Sequence, residues 1–279
     1  MKIIKQVKAP VRIDFAGGTT DISPFKDKYS GCVLNAAIDK YIIGKLVATD
    51  KNVGLEYHGN IPTSSGLGTS GVMNLVWLAL ISKAKDKREL AEGAYALEQA
   101  MGLVGGKQDQ YAGAFGGINF LEFKGEKVKI TRLDLPGRFV RKLEKKLVLV
   151  YTGKPHFSGD SNRLAIENLK KGKNVKNLLK IREIAKEMKN CLLQEDLERF
   201  AELMNEETEQ RDDLHKVTVP LCMEKTIKGA MRNGAIAAKV CGSGAGGSIL
   251  FFGDRKRLKR KFGRKVIDFK FDFKGLRFF

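Results

Sequence analysis

The chain has 279 residues, 43% apolar and 30% charged, with 51 Lys and Arg against 32 Asp and Glu for a formal charge of +19. That is enough to bury a core in one large domain or two closely packed ones, and it excludes a disordered chain. The basic balance attracts anions (a nucleic acid, a nucleotide, a phosphorylated sugar) or else marks a Lys-rich, well-solvated surface.

Residues 1–16 alternate basic and apolar positions and read as a strand that ends in the loop Gly17-Gly18-Thr19-Thr20-Asp21. Gly31 to Thr49 is rich in Val, Ile and Leu and reads as strands, followed by a polar connection over Lys51 to Asn60. Pro62 to Gly71 leads into a helical pattern over Val72 to Lys83, and a second helix is expected from about Lys87 to Met101. Glycines at 102, 105 and 106 make a hinge. A strand pair is expected over 117–123 and 127–135, turning at Lys124-Gly125-Glu126. The second half opens with a strand over Lys146 to Tyr151 and a loop over Thr152 to Asn162. Two or three amphipathic helices cover roughly 162–233, a glycine cluster over Cys241 to Gly247 interrupts the apolar stretch Ala235 to Phe252, and an alternating strand runs over 266–273. Strands first and helices later argue for an α+β fold.

Cys32, Cys191, Cys222 and Cys241 form no Cys-x-x-Cys pair, and there are three histidines, so neither a structural zinc site nor a disulfide framework is expected. Met1 to Lys5 lacks the apolar run of a secretion signal. The longest apolar stretch, Val72 to Ile81, contains Asn74 and is too short to span a bilayer. A cytoplasmic protein with no membrane contact is expected.

Four segments carry chemistry. Ser64-Ser65-Gly66-Leu67-Gly68-Thr69-Ser70 stands at the head of a helix. Its glycines admit a ligand close to the backbone, its helix-entry N–H groups and dipole favour an anion, and its hydroxyls add donors and a Mg²⁺ ligand. It is not a Walker A loop, and a plain capped helix start would look similar. Cys241 to Gly247 holds four glycines in the six positions from Gly242, which suits either a close backbone contact or a tight turn. In Gly105-Gly106-Lys107-Gln108-Asp109-Gln110, an Asp beside a Lys after a glycine turn suits the hydroxyl-orienting carboxylate of phosphoryl transfer, or a helix cap. Arg12 in the apolar run from Ala9 to Ala16 needs an anionic partner or a ligand, and Asp21 suits either substrate hydroxyls or its own turn.

In order and chemistry these segments resemble the GHMP kinases, which move the γ-phosphate of ATP onto a hydroxyl of a small molecule. The family's Pro-x-Ser-Ser-Gly-Leu-Gly-Ser-Ser pattern is similar to Pro62 to Ser70, with Thr69 for Ser, and its late glycine-rich motif to Gly242 to Gly247. The motifs run from residue 9 to residue 252. Within the superfamily, Phe15 to Asp21, Asn35 to Tyr41 and Gly105 to Gly117 look like the D-glycero-D-manno-heptose 7-phosphate kinases and L-fucokinases rather than ordinary galactokinases.

The resemblance implies a two-lobed α+β fold: a ribosomal-protein-S5-like α/β lobe over 1–145, a ferredoxin-like lobe over 146–279, and an active site between them. By resemblance, Pro62, Ser64, Ser65, Gly66, Leu67, Gly68, Thr69 and Ser70 wrap the triphosphate of ATP, and Ser70 and Glu98 hold Mg²⁺. Asp109 is the catalytic base and Arg12 stabilises the transferring charge. Gly17, Gly18, Thr20, Asp21, Lys107, His156, Ser158, Gly242, Ser243 and Gly244 contact the substrate. Lys154, His156 and Arg163 are candidates for a phosphate already on that substrate. The implied function is phosphorylation of an anomeric hydroxyl, of a heptose 7-phosphate first and otherwise of a hexose such as galactose or fucose, or of a small alcohol such as mevalonate. Partners are small molecules rather than nucleic acid, in a monomer or homodimer. Two departures stand out: Thr49 to Ile61 is short where the family builds its base pocket, and Gly71 replaces a usual Ala.

Overall fold

The computed structural model describes residues 2–62, 64–153, 158–212, 214, 221–242 and 247–279, with side chains of 158–160, 221 and 222 left aside. The first half contains β1 (Lys2–Ala16), α1 (Phe25–Tyr29), β2 (Gly31–Ala48), β3 (Val53–Gly59), α2 (Thr69–Ile81), α3 (Lys87–Ala100), α4 (Gln108–Phe115), β4 (Ile118–Lys124), β5 (Lys127–Arg132) and α5 (Gly137–Lys146). The second half contains β6 (Leu147–Tyr151), α6 (Ser158–Lys170), α7 (Val175–Leu193), α8 (Leu197–Asp212), α9 (Leu221–Met231), β7 (Ala235–Val240), β8 (Ser248–Gly253), α10 (Arg255–Phe262), β9 (Val266–Ile267) and β10 (Arg277–Phe278).

Two antiparallel sheets result, ordered β10-β1-β2-β4-β5 with β3 also on β2, and β7-β8-β6-β9. β2 is long enough to serve two neighbours on one edge: Gly31 to Ala36 pair with β4, and Ile42 to Ala48 with β3. Helices α2 and α4 pack against β1 and β2, while α7 and α8 contact β1, and α8 also meets β7. Phe15 of β1 meets Phe200 of α8 edge to face, with ring centroids 5.3 Å apart. This core carries apolar residues from both halves of the chain, so the two sheets are held together by burial rather than by a flexible connection.

The polar stretch Lys51 to Asn60 contains a strand, β3, where the sequence reads as a connection. Its residues are exposed or half-exposed, so no apolar alternation marks it. Among the described residues, four helices lie between 158 and 231. The alternating tail over 266–273 is a strand only at β9. Beyond it the chain crosses to the first sheet, where Phe271 bridges to Ile38 and β10 pairs with β1. Asp272 fastens that crossing by accepting the N–H groups of Lys274 and Gly275 and the Tyr41 hydroxyl. No helix among the described residues is long and apolar enough to cross a membrane.

Candidate active site

Two helix starts meet at one cavity. Gly68 caps α2 at φ +72°, and Thr69, Ser70 and Gly71 follow with the unpaired N–H groups of a first turn. Asp109 lies in the first turn of α4, where a carboxylate complements the helix dipole. Ser64, Gly66, Gly68, Thr69, Ser70, Gly71, Glu98, Asp109, Asp21 and Arg12 all line this cavity. Serine 70 and the carboxylate of Asp109 therefore face common space.

Glycine makes the approach possible. A Cβ on Gly68 would lie 2.8 Å from Asp109 Cγ, and one on Gly71 would lie 2.8 Å from Asp109 Cβ. Gly71, which the sequence marks as a weakened helix start, is thus a place where an Ala side chain has no room beside Asp109. A Cβ on Gly106 would lie 1.8 Å from Asp21 Oδ2.

Arg12 is the charged hub. Its Nε donates to Asp109 Oδ1 at 2.7 Å, its Nη2 lies 2.7 Å from the same oxygen, and its Nη1 donates to Gly66 O at 2.8 Å. Burial alone would lower its pKa, but Asp109 and Asp14 more than offset that and hold it above the usual value. Among the described lining residues it is the sole cation, so the chain's surplus of +19 lies elsewhere.

Two other lining carboxylates are held away from their ordinary ionisation. Glu98 accepts Asn74 Nδ2 at 3.1 Å and Gln110 Nε2 at 2.6 Å, neutral donors only. Burial, aided by the nearby Asp109 charge, pushes it up to about 7. Asp21 accepts the Gln108 N–H at 3.3 Å, its Oδ1 has no hydrogen-bond partner, and burial with Asp109 pushes it up to about 6. A buried acceptor without a partner is costly, and a ligand that supplies one relieves the cost.

Family models complete the picture: one for the N-terminal domain of GHMP kinases matches residues 30–117, and one for the C-terminal domain matches residues 181–270. The chain belongs to the GHMP kinases. It is 30% identical to the D-glycero-α-D-manno-heptose 7-phosphate kinase of Campylobacter jejuni, over 99% of each chain. Among solved structures it is similar to a D-glycero-D-manno-heptose 1-phosphate kinase from Bacteroides thetaiotaomicron, at 26% identity and a TM-score of 0.75 over 99% of each chain. In fold it is also similar to the galactose complex of Lactococcus lactis galactokinase, at 18% identity and a TM-score of 0.70 over 99% of this chain and 94% of that one. The alignment to the Campylobacter kinase runs over 345 positions, so that relative carries segments with no counterpart in the 279 residues here.

Several of the GHMP motif residues do other work than the sequence suggests. Pro62, Ser65 and Leu67 do not line the cavity. Leu67 is core, and its carbonyl accepts the Arg12 N–H at 3.1 Å. Ser65 is buried beside Gly247, where a Cβ on that glycine would lie 2.6 Å from the Ser65 carbonyl. Likewise a Cβ on Gly242 would lie 2.9 Å from Gly66 O. Gly242 lines the cavity, and Gly242 and Gly247 brace the first glycine segment through backbone contact.

Gly17 and Thr20, expected at the substrate, instead shape their loop. A Cβ on Gly17 would strike Cys32 O at 2.1 Å, and the Thr20 hydroxyl sits 2.6 Å from Gly17 O and accepts the Cys32 N–H at 3.1 Å. Gly18, Thr19 and Asp21 are the loop's lining residues. Lys107 is corrected outright: its buried ammonium pairs with Glu92 at 2.7 Å and Glu126 at 3.1 Å, and it does not line the cavity. A buried ammonium needs anionic partners, and those two glutamates lie beyond α4's start. Arg163 is exposed on α6. Lys154, His156, Ser243, Gly244 and the Ser158 side chain lie outside the described residues.

Lining residues outside those motifs include Leu103, Val104 and Asn162. Asn162 of α6 donates to Val104 O at 3.0 Å and so ties the glycine hinge to the second half.

Proposed function

We propose that this chain phosphorylates the anomeric hydroxyl of D-glycero-D-manno-heptose 7-phosphate or a closely related sugar, with Mg·ATP as donor. What carries the proposal is the sharing of one cavity by the start of α2, Arg12 and Asp109. The N–H groups at Thr69 to Gly71 suit the phosphates of ATP, as helix starts suit anions generally. Arg12 sets positive charge where phosphoryl transfer spreads negative charge over the equatorial oxygens. Both Arg12 contacts fall on Asp109 Oδ1. Oδ2 is then the oxygen that orients the acceptor hydroxyl and takes its proton. Asp21 Oδ1, with Gly18 and Thr19 beside it, suits the hydroxyls of a sugar.

The residues fit a magnesium ion. Mg²⁺ prefers oxygen, keeps several waters and takes one or two protein ligands beside the phosphates. Ser70 and Glu98 supply those oxygens, and Asn74 and Gln110 orient the Glu98 carboxylate. A bound Mg²⁺ would neutralise phosphate charge and keep Glu98 ionised.

The heptose 7-phosphate comes from the 30% identity to the Campylobacter kinase of that name. A hexose 1-kinase of galactokinase or fucokinase type is the second reading, supported by 24% identity over 96% of this chain to an Arabidopsis thaliana bifunctional fucokinase/GDP-fucose pyrophosphorylase. The protein is read as cytoplasmic, as a monomer or homodimer, and as acting on a small molecule with no nucleic acid involved. A panel of acceptors with Mg·ATP and ADP release as readout tests this. Heptose 7-phosphate is expected to give the highest kcat/KM, ahead of galactose, fucose and mevalonate. Turnover of mevalonate alone would replace the sugar assignment, and no acceptor-dependent release at all would defeat it.

A further inference from the structure

A buried ionic chain runs from Arg12 back behind the cavity, and its members beyond Arg12 take no part in the transfer described above. Asp14, two residues after Arg12 on β1, has no exposure. Its Oδ1 accepts the Gly242 N–H at 3.1 Å and lies 4.0 Å from Arg12 Nη1, while its Oδ2 accepts Lys239 Nζ at 3.0 Å. Lys239, on β7, is equally buried and lies 3.3 Å from Glu207 Oε2 on α8, an ion pair without hydrogen-bond alignment. Glu207 Oε1 accepts Arg211 Nη2 at 2.8 Å, and that nitrogen also donates to Gly18 O at 3.1 Å. Signs alternate from Arg12 through Asp14, Lys239 and Glu207 to Arg211, and both ends reach residues of the cavity wall.

Buried ion pairs are weak contributors to stability, because apolar residues of the same volume often serve as well. Position is the better explanation for this one. Asp14 without Lys239 would be a buried carboxylate with Arg12, 4.0 Å away, as its nearest remaining cation, since Arg211 is turned onto Glu207 and Gly18. Arg12, however, is engaged by Asp109 and Gly66. Asp14 would then compete with Asp109 for one guanidinium.

We propose that Lys239 is a positioning residue: by occupying Asp14 it leaves the Arg12 guanidinium on Asp109. The proposal rests on the kinase reading for the role of Asp109, but its geometry does not.

The test compares Lys239→Met, Asp14→Asn and the double variant. Lys239→Met is expected to lower kcat at least about tenfold, within what an ångström of misplacement costs, with ATP affinity little changed. Adding Asp14→Asn is expected to recover most of that loss, because a neutral amide no longer draws Arg12. A role in packing alone predicts the reverse, with losses that add. Lys239→Gln should act in the same direction if Lys239→Met does not fold. A second readout needs no catalysis: the ¹⁵N resonance of the Arg12 Nε–H group, assigned by its loss in Arg12→Lys. It should move in Lys239→Met and return in the double variant. If the wild type phosphorylates no acceptor, the kinase reading fails while this resonance still decides the proposal. An unmoved resonance, or a double variant slower than Lys239→Met, overturns it.

Discussion

Two groups of buried charge, one in the cavity wall and one behind it, differ in how fully they are paired. Behind the cavity, Asp14, Lys239, Glu207 and Arg211 each face an opposite charge within 3.3 Å. Asp14 is accordingly held well below the usual carboxylate range: burial would raise it, and Lys239, Arg12 and Arg211 override that. Within the cavity, Glu98 meets only neutral amides, and Asp21 keeps an oxygen with no partner. Both of those carboxylates are raised. Binding energy remains to be gained in the cavity: the paired cluster has its counter-ions already, whereas the cavity leaves a cation and hydroxyl donors to be supplied by ligands.

The largest effect is expected at Asp109. Asp109→Asn is expected to slow turnover at least about a hundredfold, the usual worth of a general base, with ATP affinity by calorimetry little changed. Near wild-type turnover would remove Asp109 from the chemistry. Gly71→Ala comes next. Its new Cβ would stand 2.8 Å from Asp109 Cβ, and moving that side chain should cost about tenfold in kcat. A control substitution at Gly54, where a Cβ meets only Val47 Cγ2 at an ordinary 3.6 Å, should leave kcat unchanged.

The metal requirement set by Glu98 should depend on pH. With its pKa raised to about 7, Mg²⁺ must displace a proton below that pH. The half-saturating Mg²⁺ concentration should therefore fall roughly fivefold from pH 6 to pH 7 and little above pH 8, as one titrating ligand dictates. Glu98→Gln should flatten that profile and raise the requirement throughout. Without ligands the sign for stability is opposite. A carboxyl whose folded pKa is raised favours the fold when protonated, so this contribution is full below the ordinary 4.5 and is lost as pH rises through about 7. Chemical denaturation of wild type and Glu98→Gln at pH 5 and pH 8 measures it, and equal pH dependence in the two would contradict the assignment. The smallest effect is expected at the surface, where Lys129 and Glu122 pair at 3.1 Å with both side chains exposed. Lys129→Ala should change stability by less than about 0.5 kcal/mol.

How much of this is legible in the sequence depends on the range of the interactions. The α2 entrance, the glycine hinge and Asp109 announce themselves because helix starts and positive-φ turns are set by adjacent residues. Glu98 is read only through the resemblance, because its partner Asn74 lies on another helix 24 residues away. Lys107 is misread because a lysine next to a candidate base looks functional, while its true partners, Glu92 and Glu126, are fixed only by the fold. Gly71 reads as a small helix defect, and only the facing α4 shows why a methyl group is refused there. Lys239 and Asp14 are 225 residues apart, and neither the local pattern of β1 nor that of β7 pairs them. β3 escaped because a strand without a buried face carries no alternation to read.

The most direct measurement is a crystal structure with Mg·ADP and the best acceptor from the panel. The account predicts the diphosphate against Gly66 to Ser70, the metal at Ser70 and Glu98, and the acceptor hydroxyl within about 3 Å of Asp109 Oδ2. A nucleotide bound away from the α2 start, or an acceptor whose hydroxyls all face away from Asp109, would contradict it.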